Sequence, residues 1–329
     1  MRHLLLVCLL ALAPGLAAAR CDGIDYRDTL AEDTLAAITA RADEVPYGTG
    51  ILWQATRGTD RILIVGTMHL PDPRSAAIRD RVVDEIEAAD LLLVEAGPEE
   101  QAAVQSAMTR DPTLVFTGDG PTLPEILDAE TWDALRAAAS ARGLPSVLVA
   151  KMQPWYVALL LAVPPCAMAE LAAGRMGLDN DLMDAAAAAG VPIAALEPWD
   201  TLFAILQGEG IADQIEALRL GLVSLEAQES LFAAMLNAYY EGEIAQIWEV
   251  SRHAARDLPG LTPDEAAAIF AETEQKTLID RNRAWMDPIR TATDTHDRVV
   301  IAAGAAHLPG ETGILALLAA EGWLIAPLD

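Results

Sequence analysis

Gly66-Thr67-Met68-His69-Leu70-Pro71 and Gly304-Ala305-Ala306-His307-Leu308-Pro309 are the same phrase written twice, and what precedes each copy decides the fold. Before the first runs Arg61-Ile62-Leu63-Ile64-Val65, and before the second Arg298-Val299-Val300-Ile301-Ala302-Ala303. Both runs are apolar, rich in β-branched residues and lack polar alternation, the pattern of strands buried on both faces of a parallel sheet. Each histidine therefore sits just past the carboxyl end of a strand. The chain has five histidines, and His253 and His296 lie in polar surroundings without such a frame. The paired frame makes His69 and His307 the candidates for one shared centre.

After His69, Asp72-Pro73 predicts the start of a helix, with Ile78, Val82 and Ile86 at helical spacing. Leu91-Leu92-Leu93-Val94-Glu95 reads as a second buried strand, so residues 61–96 form a strand-helix-strand unit whose strands run parallel. Glu95 then emerges on the same sheet edge as His69, and His307 joins them if its strand belongs to that sheet. Ligands of open α/β sheets bind along that edge. A helix over Asp179 to Ala189, stopped by Gly190, leads to a run ending at Glu197, a second carboxylate at a strand end. Asp179 and Glu197 are expected to serve as a cap and a loop bond. The closing segment predicts a helix over Glu311 to Ala320 and a last strand over Trp323 to Leu328.

From about Trp199 to Thr293 the pattern is helical throughout, with a capping box at Thr262-Pro263-Asp264-Glu265, and is expected to be an insertion or lid. The apolar stretch Trp155 to Ala173 contains Pro164-Pro165 and Glu170, which suit buried helices better than a membrane span. The fold class expected is α/β: a mainly parallel sheet with flanking helices and a helical insertion at about 199–293, in a single domain over 20–329.

Residues 1–19 combine Arg2, an apolar stretch from Leu4 to Leu12, a Pro14-Gly15 break and Ala17-Ala18-Ala19, a secretory leader. The expectation is an exported protein, periplasmic if the host has two membranes. Arg20 before Cys21 fits poorly with a lipoprotein cleavage site. Cys21 and Cys166 remain after the leader, a pair that can oxidise in that compartment. The formal charge is −27 and reaches −28 when Arg2 leaves with the leader, which excludes nucleic acid and anionic lipid as partners. No HExxH, GxSxG, GxxxxGK[ST], CxxCH or GxGxxG motif is present, which excludes zincins, standard serine hydrolases, P-loop enzymes, c-type haem attachment and dinucleotide oxidoreductases.

Two neutral imidazoles and a carboxylate can hold Mn²⁺, Co²⁺, Fe²⁺ or Zn²⁺ and leave positions open for water and substrate. On this reading His69 and His307 are ligands and Glu95 is the third ligand or the general base. Arg281 is expected to bind a substrate carboxylate or stabilise an oxyanion, and Asn282 to add a neutral hydrogen bond. The glycine three residues before each histidine is expected to permit a sharp turn and close substrate approach.

The first GxxH, Leu92-Leu93-Val94-Glu95, Gly177-Leu178-Asp179 leading to Leu196-Glu197, Asp280-Arg281-Asn282 and Gly304-Ala305-Ala306-His307-Leu308 together resemble the TraB/GumN (Tiki) superfamily. The resemblance spans about residues 45 to 329. It implies a domain related to the erythromycin-esterase and ChaN-like folds, with the paired GxxH motifs and the glutamate as its centre. Animal Tiki members imply a divalent-metal-dependent hydrolase acting on peptides. The ChaN-like relatives imply instead a haem or metal-complex binding module without turnover, and the esterase relatives a metal-free hydrolase with one histidine as base. The expected partner is a peptide or small-molecule substrate.

Overall fold

A computed structural model describes residues 21, 23–208, 210–258 and 260–328. The secretory leader read over 1–19 lies outside the described residues. Six strands form one sheet: β1 (Leu52–Arg57), β2 (Asp60–Thr67), β3 (Leu91–Val94), β4 (Ile193–Ala195), β5 (Arg298–Gly304) and β6 (Leu324–Pro327). Their spatial order is β4-β3-β5-β2-β1-β6. β4, β3, β5 and β2 are mutually parallel, and β1 runs antiparallel to both β2 and β6. The α/β expectation holds, with one addition. β1 pairs with β2 through a tight Gly58-Thr59 turn, in which Gly58 adopts φ +64°.

β2 and β3 are parallel as expected but do not touch, because β5 lies between them. The register sets Thr67 beside Gly304 and Val94 beside Ala302, so the ends carrying His69, Glu95 and His307 are level. Successive side chains of a strand point to opposite faces. Leu63, Val65, Leu92, Val94, Val300 and Ala302 face one apolar layer, and Ile62, Ile64, Leu91, Leu93, Val299 and Ile301 face the other. Both faces are covered, which is why the strands show no polar alternation.

The first layer is formed by the helices Ser75–Glu87 and Leu178–Ala189 together with Phe232, Leu236 and Tyr239 of the helix Leu225–Glu241. Ile78, Val82 and Ile86 are buried as their spacing predicts. The second layer is formed by Trp285, Met286 and Ile289 of the helix Asp280–Thr293 and by Ile314, Leu315 and Leu318. Residues 199–293 are helical as read, but they are no separate lid, since they supply wall to both faces of the sheet. The outlying helical body is instead formed mainly by residues 123–161, whose Leu123, Leu135, Val149 and Leu161 pack with Leu218 in a cluster that holds no strand residue.

The apolar stretch after Trp155 is two helices, Pro154–Ala162 and Pro165–Ala172, bent by 93° at the prolines. No single helix among the described residues is long and apolar enough to cross a membrane. Cys21 and Cys166 are joined in a disulfide, tying the start of the described chain to the second of these helices.

Gly66 lies one residue beyond the β1–β2 ladder, and its carbonyl accepts a hydrogen bond from the buried Tyr239 hydroxyl at 2.8 Å. Burial pushes the Tyr239 phenol well above its usual range, so it stays a donor at every ordinary pH. Tyr239→Phe leaves that carbonyl without this donor and is expected to cost about 1–3 kcal/mol, read as a lower urea midpoint with an unchanged m-value.

Candidate functional site

Four parallel strands deliver their carboxyl ends to one edge in the order Glu197, Glu95, His307, His69. Arg281 stands among them, placed by a helix whose first turns follow a π-helical stretch over Gln275–Ile279. Such π-turns change which face a helix presents and recur at functional sites.

All five N–H groups of Arg281 are engaged. Nε donates to Glu197 Oε2 at 2.9 Å, and Nη2 donates to Glu197 Oε1 at 2.7 Å and to Glu95 Oε2 at 2.6 Å. Nη1 donates to the Thr277 carbonyl and to His307 Nε2, both at 3.1 Å. The guanidinium is buried. Burial opposes its charge, but Glu197 and Glu95 outweigh it and raise its pKa further. The sequence reading of Arg281 as a substrate or oxyanion clamp is therefore corrected: it has no donor left over, and it positions two carboxylates and an imidazole.

Asn282 is corrected in the same way. Its amide nitrogen donates to the carbonyls of His307, at 3.2 Å, and Thr312, at 3.0 Å. Both donors being engaged there, its Oδ1 faces His307 Nδ1 at 2.6 Å as an acceptor, so Nδ1 of His307 carries the proton. The lone pair of His307 is left on Nε2, pointing to Arg281. Burial lowers the pKa of this imidazole; Glu95 opposes that, but Arg281 and His69 add to the lowering, which reaches about 3. Trp285, which is wholly buried in the core, stacks on the His307 ring at 4.3 Å between centroids and donates to Glu197 Oε2 at 2.9 Å.

His69 is the open member of the group, with 55% of its side chain exposed. Its Nδ1 faces Asp179 Oδ1 at 3.3 Å, and its Nε2 faces Glu95 Oε1 at 3.5 Å. Burial of the ring's environment opposes protonation, but Asp179 and then Glu95 reverse that and push its pKa up to about 10. Glu95 Oε1 also accepts the Gly304 N–H at 2.6 Å and lies 3.9 Å from His307 Nε2. Against its burial, His69, His307 and Arg281 hold the Glu95 carboxyl well below the usual range, so it is ionised.

The glycines act through space rather than through turn geometry, since neither Gly66 nor Gly304 has a positive φ. A Cβ on Gly304 would lie 2.9 Å from His69 Nε2 and 3.0 Å from Glu95 Oε1. One on Gly66 would lie 2.9 Å from Leu308 Cδ1 and 3.1 Å from the Ala305 Cβ. Each glycine clears room for the other motif. Gly177 does the same for the helix that carries Asp179: a Cβ there would stand 2.2 Å from the His69 carbonyl oxygen.

The three expected centre residues, His69, Glu95 and His307, are thus brought together. Asp179 and Glu197, expected only as a cap and a loop bond, belong with them. Their signal was present, as a helix start and a strand end on the same sheet edge. Among the described residues no group of three His, Cys, Asp or Glu side chains is placed to hold a metal ion.

Fold and site together define an α/β protein whose chemistry sits on the carboxyl edge of a parallel sheet, with paired GxxH turns around a glutamate. A profile of the TraB/PrgY/gumN family matches residues 51–327, and the chain belongs to that family. A search of curated proteins returned no match.

Gly304→Val is expected to abolish whatever the His69–Glu95 centre does, by about 100-fold or more, while its near-ultraviolet circular dichroism stays native, because the added atoms enter the site. In an NMR titration His69 stays protonated until about pH 10, and Asp179→Asn lowers that midpoint. A raised histidine pKa contributes stability below about pH 6.5 that is lost as pH rises through about 10. His307 acts with opposite sign: it resists protonation when folded, so stability falls as pH drops from about 6.5 toward about 3.

Proposed function

We propose that this chain is an exported, divalent-metal-dependent hydrolase acting on acyl or peptide bonds, with His69, Glu95 and His307 as metal ligands. One observation carries the reading. Both histidines have Nδ1 held by a side-chain oxygen, of Asp179 and of Asn282, and both present Nε2 toward the same oxygen of Glu95, at 3.5 and 3.9 Å. Metal-bound histidines characteristically donate their other ring N–H to such a partner. Bonds of about 2.1 Å around a tetrahedral ion set neighbouring ligand atoms about 3.4 Å apart, close to the first of these separations. The local charge agrees. Once an ion displaces the His69 proton, the three carboxylates Asp179, Glu95 and Glu197 are set against one guanidinium, a net −2 that a divalent ion balances.

The donor types fit the ion, with one condition: His307 Nε2 is a ligand only when Arg281 Nη1 releases it. A bound ion would supply Lewis acidity and a water that ionises near neutral pH. The chain's own residues do the rest. Asp179 and Asn282 fix the ring orientations, the Gly304 N–H holds Glu95 Oε1, Arg281 keeps Glu197 and Glu95 apart, and the open face of His69 admits substrate. The leader read over residues 1–19 and the Cys21–Cys166 disulfide support export, since such bridges persist in oxidising compartments.

The Arg281–His307 contact favours a second reading, metal-free hydrolysis in which His69, held protonated between two carboxylates, acts as general acid. Metal titration of the purified protein separates the two. One equivalent of Mn²⁺, Co²⁺, Fe²⁺ or Zn²⁺ is expected to bind, and His69→Ala, Glu95→Gln and His307→Ala each weaken it about tenfold or more. Peptide and ester hydrolysis is expected to stop with chelator and return with the ion. Hydrolysis indifferent to chelator supports the metal-free reading, and a Soret band that shifts in His69→Ala without turnover supports haem capture.

A further inference from the structure

β4 ends the sheet, and among the described residues only β3 pairs with it. Pro192 accepts from Leu92 and Leu196 donates to Val94, so the even-numbered residues bond inward to β3. Alternation turns the N–H and C=O groups of Ile193 and Ala195 outward. The side chains of Ile193 and Ala194 are occupied on the two faces of the sheet, against different core clusters. What stays open is the backbone edge.

That edge is also hollow. A depression of about 420 Å³ is lined by the six consecutive residues Ile193 to Pro198 and, opposite them, by Gly97 to Glu100. Consecutive residues of both parities show that it runs along the strand edge and not over one face. It meets a second depression, of about 430 Å³, at Leu196, Glu197 and Pro198; this one is walled by Ile205, Ala284 and Pro288 and reaches Arg281. Glu197 lies at the junction, bonded to Arg281, which holds Glu95. The groove thus reaches the Glu197–Arg281 pair that borders the centre. Glu99, with Glu100 capping its own helix through the Gly97 N–H, makes the wall opposite β4 acidic, and the second depression is mainly apolar with Lys276 and Asp280 also lining it.

The geometry points to the free edge of β4 as the docking track for an extended peptide, added to the sheet as a further strand that leads to Glu197, beside the centre. Main-chain pairing with Ile193 and Ala195 supplies the hold, and pockets on the two sides supply preference. The peptide favoured carries a cationic side chain or amino terminus at the Glu99–Glu100 wall and an apolar side chain where the groove passes Ile205, Ala284 and Pro288. For the fate of that peptide the inference rests on the hydrolase reading; for its binding it does not.

The probe is a pool of short peptides from a tryptic digest of reduced, carboxymethylated casein, added to the mature full-length protein, with backbone amide exchange followed by NMR. Exchange at Ile193 and Ala195 is expected to slow about tenfold or more, while Ala194 and Leu196, already bonded inward, change little. Ala195→Pro removes one outward N–H and is tolerated at a strand edge. It is expected to abolish the protection at Ile193 and to raise KM for any cleaved peptide at least about tenfold, with hydrolysis of a small ester unchanged; Ala195→Val retains both. Peptide cleavage without protection of these amides overturns the docking track and leaves the hydrolase reading standing. Protection without cleavage supports the track and counts against that reading. The absence of both protection and cleavage also overturns the track.

Discussion

Everything at the sheet edge depends on one guanidinium. Glu95 and Glu197 emerge from adjacent strands as buried carboxylates, and two like charges brought that close and out of water repel strongly unless a cation stands between them. Arg281 does so with a planar fork that closes on Glu197 in two bonds and still reaches Glu95. Lysine, a point charge on a flexible stem, could not make that set of bonds at once. The fifth N–H falls to His307, so the same cation that lets the acids be buried adds to the burial that keeps that imidazole neutral. Electrostatic order at the centre and the position of the helix Asp280–Thr293 are one constraint.

The division of labour between the two histidines follows. His307 is buried, has both ring nitrogens engaged and is stacked on Trp285. His69 is open and flanked by carboxylates on both nitrogens. Matching GxxHLP phrases in the sequence thus yield one anchored and one exposed ring. The difference lies in the partners each turn meets: a core helix for His307, and the Gly177–Asp179 helix start for His69.

How much of this could be read in advance is set by the range of the interactions. The buried strands, the helix of Ile78, Val82 and Ile86, the stop at Gly190 and the convergence of His69, Glu95 and His307 are written in local pattern plus the rule that parallel strands share an edge. β1 was not read, because Leu52 to Arg57 lacks the uninterrupted apolar run that marked the others and depends on its hairpin partner. The position of β5 between β2 and β3 is a matter of register, which no single segment encodes. The tasks of Arg281 and Asn282 were misjudged because their partners lie far away in the chain. The glycines were recognised, but their reason was not: the clearance each provides is for atoms of the other motif, visible only once both are in place.

The strand order has a consequence for how the molecule comes into being. β2 and β3 each need β5 as neighbour, yet β5 is made about two hundred residues after β3. A chain emerging from its amino end holds two apolar strand edges with a gap between them until residues 298–304 arrive. Unpaired edges of that kind invite pairing with other chains. Through nearly the whole of synthesis, then, the nascent molecule has no completed centre and an aggregation-prone slot in its place. The late strand fills the slot and arms the site in one event, which makes this fold a natural client for factors that shield unfinished chains.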